Sequence, residues 1–164
     1  MIILGIDPGL ARMGYGVIKA ENGRHTLLQY GILGTEPGES LPYRLRAVFL
    51  GVNQLMDTFQ PDEVAFEELF FSKNVTTGMA VSAARGAALV AAVTRTERLF
   101  EYTPMQIKQS VTGYGKADKR QVQEMVRMIL GMDEIPKPDD AADALAVALT
   151  HAMSSKMRGI YRIE

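Results

Sequence analysis

Three aspartates stand in the stretch PDDAADALAVA, which otherwise has the composition of an alanine-rich helix. Asp140 and Asp143 are three residues apart and Asp139 and Asp143 are four apart, so either pair shares a helix face and can reach one point. Capping and the helix dipole account for an acid at 139 or 140. Asp143 lies a full turn inside the helix, where a lone buried acid is unfavourable, and this position indicates a chemical role.

Two apolar segments elsewhere in the chain also end in acids. Asp7 closes the run IILGI and is followed by Pro-Gly, through which a strand does not continue. Within VAFEELFF, either Glu67 or Glu68 is expected to point inward, and spacing alone does not choose between them. Because an unpaired buried carboxylate is costly, these acids are expected to meet a compensating charge.

Carboxylates from two strand ends and one helix would form an oxygen-rich group of ligands. The chain has no Cys and only two histidines, which excludes a thiolate zinc site and a Cys nucleophile. Oxygen ligands suit hard Mg²⁺ or Mn²⁺ ions. Two such ions about 4 Å apart can activate a water and stabilise the leaving oxygen in phosphodiester cleavage.

The elements that position these acids follow from hydrophobic periodicity and turn residues. Strands are predicted over 2–7, 14–20, 25–33, 62–68 and 97–104, and helices from Ser40 to Phe59, over 76–95, over 119–130 and in the aspartate segment. Asn22-Gly23 predicts a hairpin turn. The order predicts an α/β fold: a mixed sheet with an antiparallel opening of three strands, flanked by helices, in a single domain of residues 1–164.

Charge is unevenly distributed along the 164 residues. The net charge is −1, yet residues 73–120 carry a net +5 and the remainder a net −6. This division is compatible with an ordinary solvated surface or with a phosphate-binding face beside an acidic, metal-binding one. The N-terminus lacks a basic region before its apolar run, and no later run was expected to reach the ~18 apolar residues of a membrane span. We therefore expect a soluble, cytoplasmic protein with no membrane contact.

The predicted helix over 76–95 carries Gly78, Ser82 and Gly86 at four-residue intervals. Small residues at this spacing form a groove that something must approach closely. The groove either packs tightly on the sheet or receives a partner helix across a two-fold axis.

Several separated motifs resemble the RuvC family of Holliday junction resolvases, in order, along nearly the whole chain. They are GIDPGLARMGYGV, AFEELFFSKN, ARGAALVAAV, QIKQSVTGYGKADKRQVQ and DDAADALAVALTH. The resemblance implies a ribonuclease H-like fold, a homodimer, and paired incisions across four-way junction DNA with Mg²⁺ or Mn²⁺, two ions per site. It assigns the catalytic and metal-binding acids to Asp7, Glu67, Asp140 and Asp143.

The resemblance also assigns DNA-contacting residues. It implies that Phe70 stacks at the junction centre, although packing alone would make this residue part of the core, and that Lys108 and Lys119 contact DNA. Lys73, Arg85 and Lys116 are further candidates, with solvated surface charge as the alternative for each. Whether a RuvAB-type branch-migration complex binds the chain stays open.

Two other functions are weighed against a junction nuclease. GIDPG after a strand also resembles the first phosphate loop of actin-like and Hsp70-like ATPases, but those enzymes need two such domains and this chain has room for one. A non-catalytic junction-binding protein would require the four acids to be merely structural. Metal-dependent nicking and ATP binding discriminate these alternatives.

Overall fold

The computed structural model describes residues 1–69, 75–154 and 158–164. This part of the chain forms a five-stranded sheet in the order β3-β2-β1-β4-β5. The strands are β1 (Ile2–Asp7), β2 (Arg12–Glu21), β3 (Arg24–Gly34), β4 (Glu63–Glu67) and β5 (Leu99–Tyr102). The first three are antiparallel, β4 is parallel to β1, and β5 is parallel to β4. The mixed sheet predicted from the sequence is confirmed.

Helices cover both faces of this sheet. They are α1 (Leu41–Phe59), α2 (Val75–Val93), α3 (Pro104–Thr112), α4 (Lys119–Ile129) and α5 (Asp139–Met153), with a short 3₁₀ turn at Arg158–Ile160. One apolar core lies between the sheet and the pair α1 and α2. The other lies between the sheet and the layer of α3, α4 and α5.

Local signals explain where the first elements begin and end. Asn22 and Gly23 have φ values of 50° and 76°, the left-handed conformations that the tight hairpin turn requires, which confirms the predicted turn. Ser40 is the N-cap of α1, as predicted, but its side chain makes no capping hydrogen bond. Gln60, also left-handed, ends that helix before Pro61.

The sequence pattern does not predict helix α3, because residues 105–112, between a predicted strand and a turn signal, show no clear helical period. Its N-terminus is a capping box in which Thr103 and Gln106 each accept from the other's backbone N–H. Left-handed Gly113 ends the helix. Ile107 and Val111 are its buried residues, too few to give a clear helical period in a nine-residue element.

Helix α2 corrects the expectation about apolar segments. Thr76–Val93 is long and apolar enough, by length and composition, to cross a membrane. Core helices of water-soluble proteins pass the same test, so the finding is weak evidence for a membrane span. Within the described part of the chain 22% of the segment is buried and most of the rest is half-buried, while the apolar side chains of Met79, Val90 and Val93 are exposed.

Helix α5 lies directly on the backbone of β1 and β2. A Cβ atom added at Gly5 would overlap the carbonyl oxygen of Ala144, and one added at Gly14 would overlap that of Asp140. The helix is almost wholly buried beyond its first turn. Glycine in the strands thus permits the close approach that sets the position of the α5 N-terminus against the end of β1.

Candidate active site

Four acids from three elements meet at one edge of the sheet. Asp7 ends β1 and Glu67 ends the neighbouring parallel strand β4, so both lie at the carboxyl edge. The first turn and a half of α5 brings Asp140 and Asp143 to the same edge. The charges of Glu67, Asp143 and Asp140 all act on Asp7. We call these four residues the acid cluster.

Burial and mutual repulsion raise the pKa of three members of the acid cluster. Burial, followed by the negative charges of Glu67, Asp143 and Asp140, raises the pKa of Asp7 to about 8, and a hydrogen bond with Glu67 adds to this. Burial and the charge of Asp143 raise the pKa of Glu67, against the opposing effect of that hydrogen bond and of two lysines. Burial also raises the pKa of Asp143. The cluster therefore has too few cations for its carboxylates.

The neighbouring acids that spacing left as alternatives have different surroundings. Asp139 is exposed, and its Oδ1 accepts a hydrogen bond from Gln123 Nε2 at 3.1 Å. That bond, together with the charge of Lys119, holds the pKa of Asp139 below its usual value. Glu68 follows β4, and its backbone N–H donates to the Tyr102 carbonyl. Neither Asp139 nor Glu68 is among the groups that raise the pKa of Asp7.

Basic side chains border the acid cluster. Lys119 Nζ lies 2.9 Å from Asp143 Oδ2 and 3.5 Å from Asp139 Oδ2. Partial burial disfavours the charged lysine, but the bonds and charges of these two aspartates prevail and raise the pKa of Lys119. A cleft of about 260 Å³ is lined by Glu67, Asp143, Lys119 and Lys108, with apolar residues of α3, α4 and α5.

The donor set of the acid cluster fits a hard divalent cation. Among the described residues, no group of three or more acids, histidines or cysteines already has metal-holding geometry. Instead Asp7 and Glu67 share a hydrogen bond, Asp143 pairs with Lys119, and Asp140 lies 3.5 Å from Arg12. Protons and basic side chains thus occupy carboxylates whose all-oxygen composition suits Mg²⁺ or Mn²⁺.

The remaining sequence candidates for DNA contact lie in different places. Lys116 is exposed in the loop between α3 and α4. Arg85, on α2, forms an ion pair with Glu101 and does not line the cleft that holds Lys108. Phe70 and Lys73 lie outside the described residues.

Two arginines near the acid cluster were missed by sequence reasoning. Arg12 stands five residues after Asp7 inside the motif GIDPGLARMGYGV, a position that could have drawn attention. Arg44, in the first turn of α1, has no sequence signal that links it to the acids. Both line a second cleft that includes Asp140.

Comparisons with known proteins point to one family. The model of the family described as crossover junction endodeoxyribonuclease RuvC matches residues 3–151. The RuvC protein of Alkaliphilus metalliredigens is 48% identical over 164 residues, covering all of both chains. That of Finegoldia magna is 53% identical over 158 residues, covering 96% of each.

Solved structures give the same result. The structure of Thermus thermophilus RuvC in complex with a Holliday junction substrate is 39% identical, with a TM-score of 0.93 over 99% of this chain and 98% of that one. The free Thermus thermophilus RuvC structure has a TM-score of 0.90 at the same identity, over 99% of each chain. These similarities confirm the ribonuclease H-like fold. The chain, with its acid cluster at the sheet edge, belongs to the RuvC family of crossover junction endodeoxyribonucleases.

Proposed function

We propose that this protein resolves four-way (Holliday) DNA junctions by metal-dependent phosphodiester hydrolysis in recombination and repair. The observation that carries the proposal is the acid cluster, in which four carboxylates gather at one sheet edge although burial and repulsion oppose the ionisation of Asp7, Glu67 and Asp143. A structural cluster would be expected to neutralise its own charge. Family membership supports a nuclease and disfavours both the ATPase and the non-catalytic alternative.

Asp7, Glu67, Asp140 and Asp143 are proposed to hold the divalent metal, Mg²⁺ or Mn²⁺, as two ions. When bound, such ions supply an activated water and stabilise the leaving oxygen of the cleaved strand. The protein's own contribution is to hold the ligands. Two come from the ends of adjacent strands and two from one helix turn, so their spacing depends on the backbone. The raised pKa values of Asp7, Glu67 and Asp143 indicate that cations would replace protons there.

DNA contact is proposed on the basic side of the acid cluster. Lys108 and Lys119 line the same cleft as Glu67 and Asp143, so a phosphate near these acids would meet both ammonium groups. Lys116 is exposed and lies shortly before Lys119 in the sequence, and it is proposed as a peripheral DNA contact. Arg85 is a less direct candidate because Glu101 already pairs with it.

The roles of Phe70 in base stacking and Lys73 in DNA contact rest on the resemblance alone. Both residues lie outside the described residues.

A homodimer is proposed through the uncovered face of α2. Met79, Val90 and Val93 are 68%, 55% and 49% exposed and lie at helical spacing with Gly86 between them. A Cβ added at Gly86 would meet no atom of the described residues within 4 Å, so the sheet does not fill the groove at this position. If a second copy of the chain covered this apolar stripe, the exposed apolar side chains of α2 would be buried in the dimer interface.

Substitution of Gly86 tests the dimer. Gly86→Leu should yield monomers that still bind metal but do not make paired cuts, because leucine fills the groove that the partner helix enters. Gly38→Leu, at another open position, is the matched control. Sedimentation of both variants beside wild type decides the matter, and an intact Gly86→Leu dimer would place the interface elsewhere.

Junction cleavage tests the function directly. Purified protein is incubated with a four-way junction and a linear duplex of equal sequence, with Mg²⁺, with Mn²⁺ and with chelator. Symmetric metal-dependent nicks in the junction alone are expected. Junction binding without nicking in either metal would favour the non-catalytic alternative, and ATP binding would favour the ATPase.

A cytoplasmic location is proposed. Whether a RuvAB-type complex binds the protein is an open question, which co-sedimentation with such a complex tests.

A further inference from the structure

We propose that the cleft on the Asp140 side of the acid cluster binds a second phosphate of the DNA backbone through Arg12 and Arg44. This inference rests on the proposed function, because it places a bound strand across the four acids. The cleft has a volume of about 560 Å³ and is lined by the turn after β1 together with residues of α1 and α2. Asp140 is the one acid among its lining residues.

The two clefts border different members of the acid cluster. The cleft with Lys108 and Lys119 is bounded by Glu67 and Asp143, whereas the arginine cleft is bounded by Asp140. A strand whose scissile phosphate lies at the acids must continue on both sides of them. Positive charge on each side would hold the flanking phosphates and offset the repulsion between the acids and the backbone.

Arg44 is held in place before any ligand arrives. Its Nε donates to Thr35 Oγ1 at 2.9 Å, and that hydroxyl in turn donates to the Leu10 carbonyl at 2.6 Å. The side chain is half-buried, which restricts its rotamers. The contact uses Nε, and the terminal nitrogens carry the paired donors that suit a phosphate. Fixing the guanidinium to the turn after β1 therefore reduces the entropy lost on binding.

Whether Arg12 is available to bind a phosphate depends on the state of Asp140. Its side chain is 54% exposed, and Nε lies 3.5 Å from Asp140 Oδ2, a loose contact for a charged pair. A cation bound at Asp140 would compete for that carboxylate. Arg12 is then available to a phosphate at the moment when the cluster is loaded, so metal binding and strand binding in this cleft support each other.

The test is the salt dependence of DNA binding by arginine variants. Each phosphate contact contributes about 0.9 to the slope of log affinity against log salt concentration. Arg44→Ala and Arg12→Ala should each lower this slope by about one and weaken binding by about tenfold. Arg24→Ala is the matched control, since Arg24 is exposed at the β2–β3 turn on the opposite edge of the sheet. It should keep the wild-type slope.

Further arms separate a phosphate contact from loss of structure and from failure of the proposed function. Arg44→Lys keeps the charge and should keep the slope; a loss equal to that of Arg44→Ala would assign the effect to the Thr35 contact and overturn the phosphate assignment. All variants are measured on a junction and on a linear duplex. If the wild-type protein bound the junction and the duplex equally well, junction selectivity would be contradicted. The salt slopes of the variants would still show whether the arginine cleft binds a phosphate. Slopes of Arg12→Ala and Arg44→Ala that match Arg24→Ala would overturn the proposal.

Discussion

Polar side chains of strand β4 and helix α5 lie together at two places, one buried and one half-buried, and the two places are built differently. At one, Glu63 Oε2 lies 2.7 Å from His151 Nε2, while His151 Nδ1 lies 2.7 Å from the Tyr102 hydroxyl. We call these three residues the histidine network. At the other, Glu67, on the same face of β4, meets Asp143 of α5, and both belong to the acid cluster.

The difference lies in how each region handles its charge. His151 is fully buried and the Glu63 side chain only 7% exposed, yet both have polar partners inside the protein. The acid cluster instead places like charges together and raises the pKa of Asp7 to about 8, through burial first and then repulsion. A buried acid with an internal partner indicates a structural role, whereas half-buried acids that repel one another indicate a site completed by a ligand.

The largest expected effect breaks the acid cluster. Asp7→Asn should reduce junction cleavage to undetectable levels in Mg²⁺ or Mn²⁺, because an amide is a poor ligand for a hard cation. Junction binding should be at least as tight as in wild type, since one negative charge beside the phosphates is removed. Cleavage assays and gel-shift titrations measure the two properties separately. Near wild-type nicking would contradict the metal-site assignment.

The next largest effect is expected from a substitution that disrupts the histidine network. Glu63→Gln should lower the free energy of unfolding by about 3 kcal/mol, because His151 loses its carboxylate partner inside the protein. Cleavage at a permissive temperature should stay close to wild type. Denaturant melts compare this variant with Glu21→Gln, whose carboxylate is in an exposed ion pair with Lys19 and should matter little. If Glu63→Gln melted like the control, the network would not be a structural contact.

The pH dependence of stability sharpens the comparison. The folded-state pKa of Asp7 is raised from 3.8 to about 8, so the unfolded chain gives up this proton first. In chelator, the stability that the proton supplies should fall as pH rises from about 4 through 8, by up to about 1.4 kcal/mol per pH unit. Saturating Mg²⁺ should remove most of the loss, because the ion takes the proton's place. Thermal melts across this range provide the measurement, and the Asp7→Asn control should lose the part of the pH dependence that comes from Asp7.

The smallest expected effect concerns the cation that already compensates the cluster. Lys119→Ala should weaken junction binding by about tenfold and lower the salt slope by about one. Because the charge of Lys119 lowers the pKa of Glu67 and Asp143, metal binding should also shift to higher pH. Lys19→Ala, far from the acids, is the control. An unchanged salt slope would mean that Lys119 makes no phosphate contact and is an ordinary surface charge.

Much of the fold was predictable because its signals are local. Turn residues predict both the end of β1 at Asp7 and the hairpin at Asn22-Gly23. The apolar stripe of α1 follows from its 3.6-residue period. Helix α3 was missed although its Thr103–Gln106 capping box is a local signal, because only two buried residues mark its period.

The site was less accessible to sequence reasoning. Spacing could bring acids to one edge, but the choice of Glu67 and Asp140 came from the family resemblance. The histidine network could not be predicted, because Glu63 and His151 are 88 residues apart and no periodicity links them. Arg44 was missed for the same reason, since its relation to the acids exists only after α1 packs beside the turn that follows β1.

The glycines beneath α5 bear on which ion the enzyme accepts. Gly5 and Gly14 let main-chain atoms of the helix rest on main-chain atoms of the sheet, with no side chain between them to adjust. The distance from the backbone of β1 to the α5 backbone that carries Asp140 and Asp143 is therefore set by contacts that have no alternative rotamer. Mg²⁺ demands near-ideal octahedral geometry at short distances. A single methyl group at Gly14 would lift the N-terminus of α5, and we expect it to impair use of Mg²⁺ before that of the larger Mn²⁺.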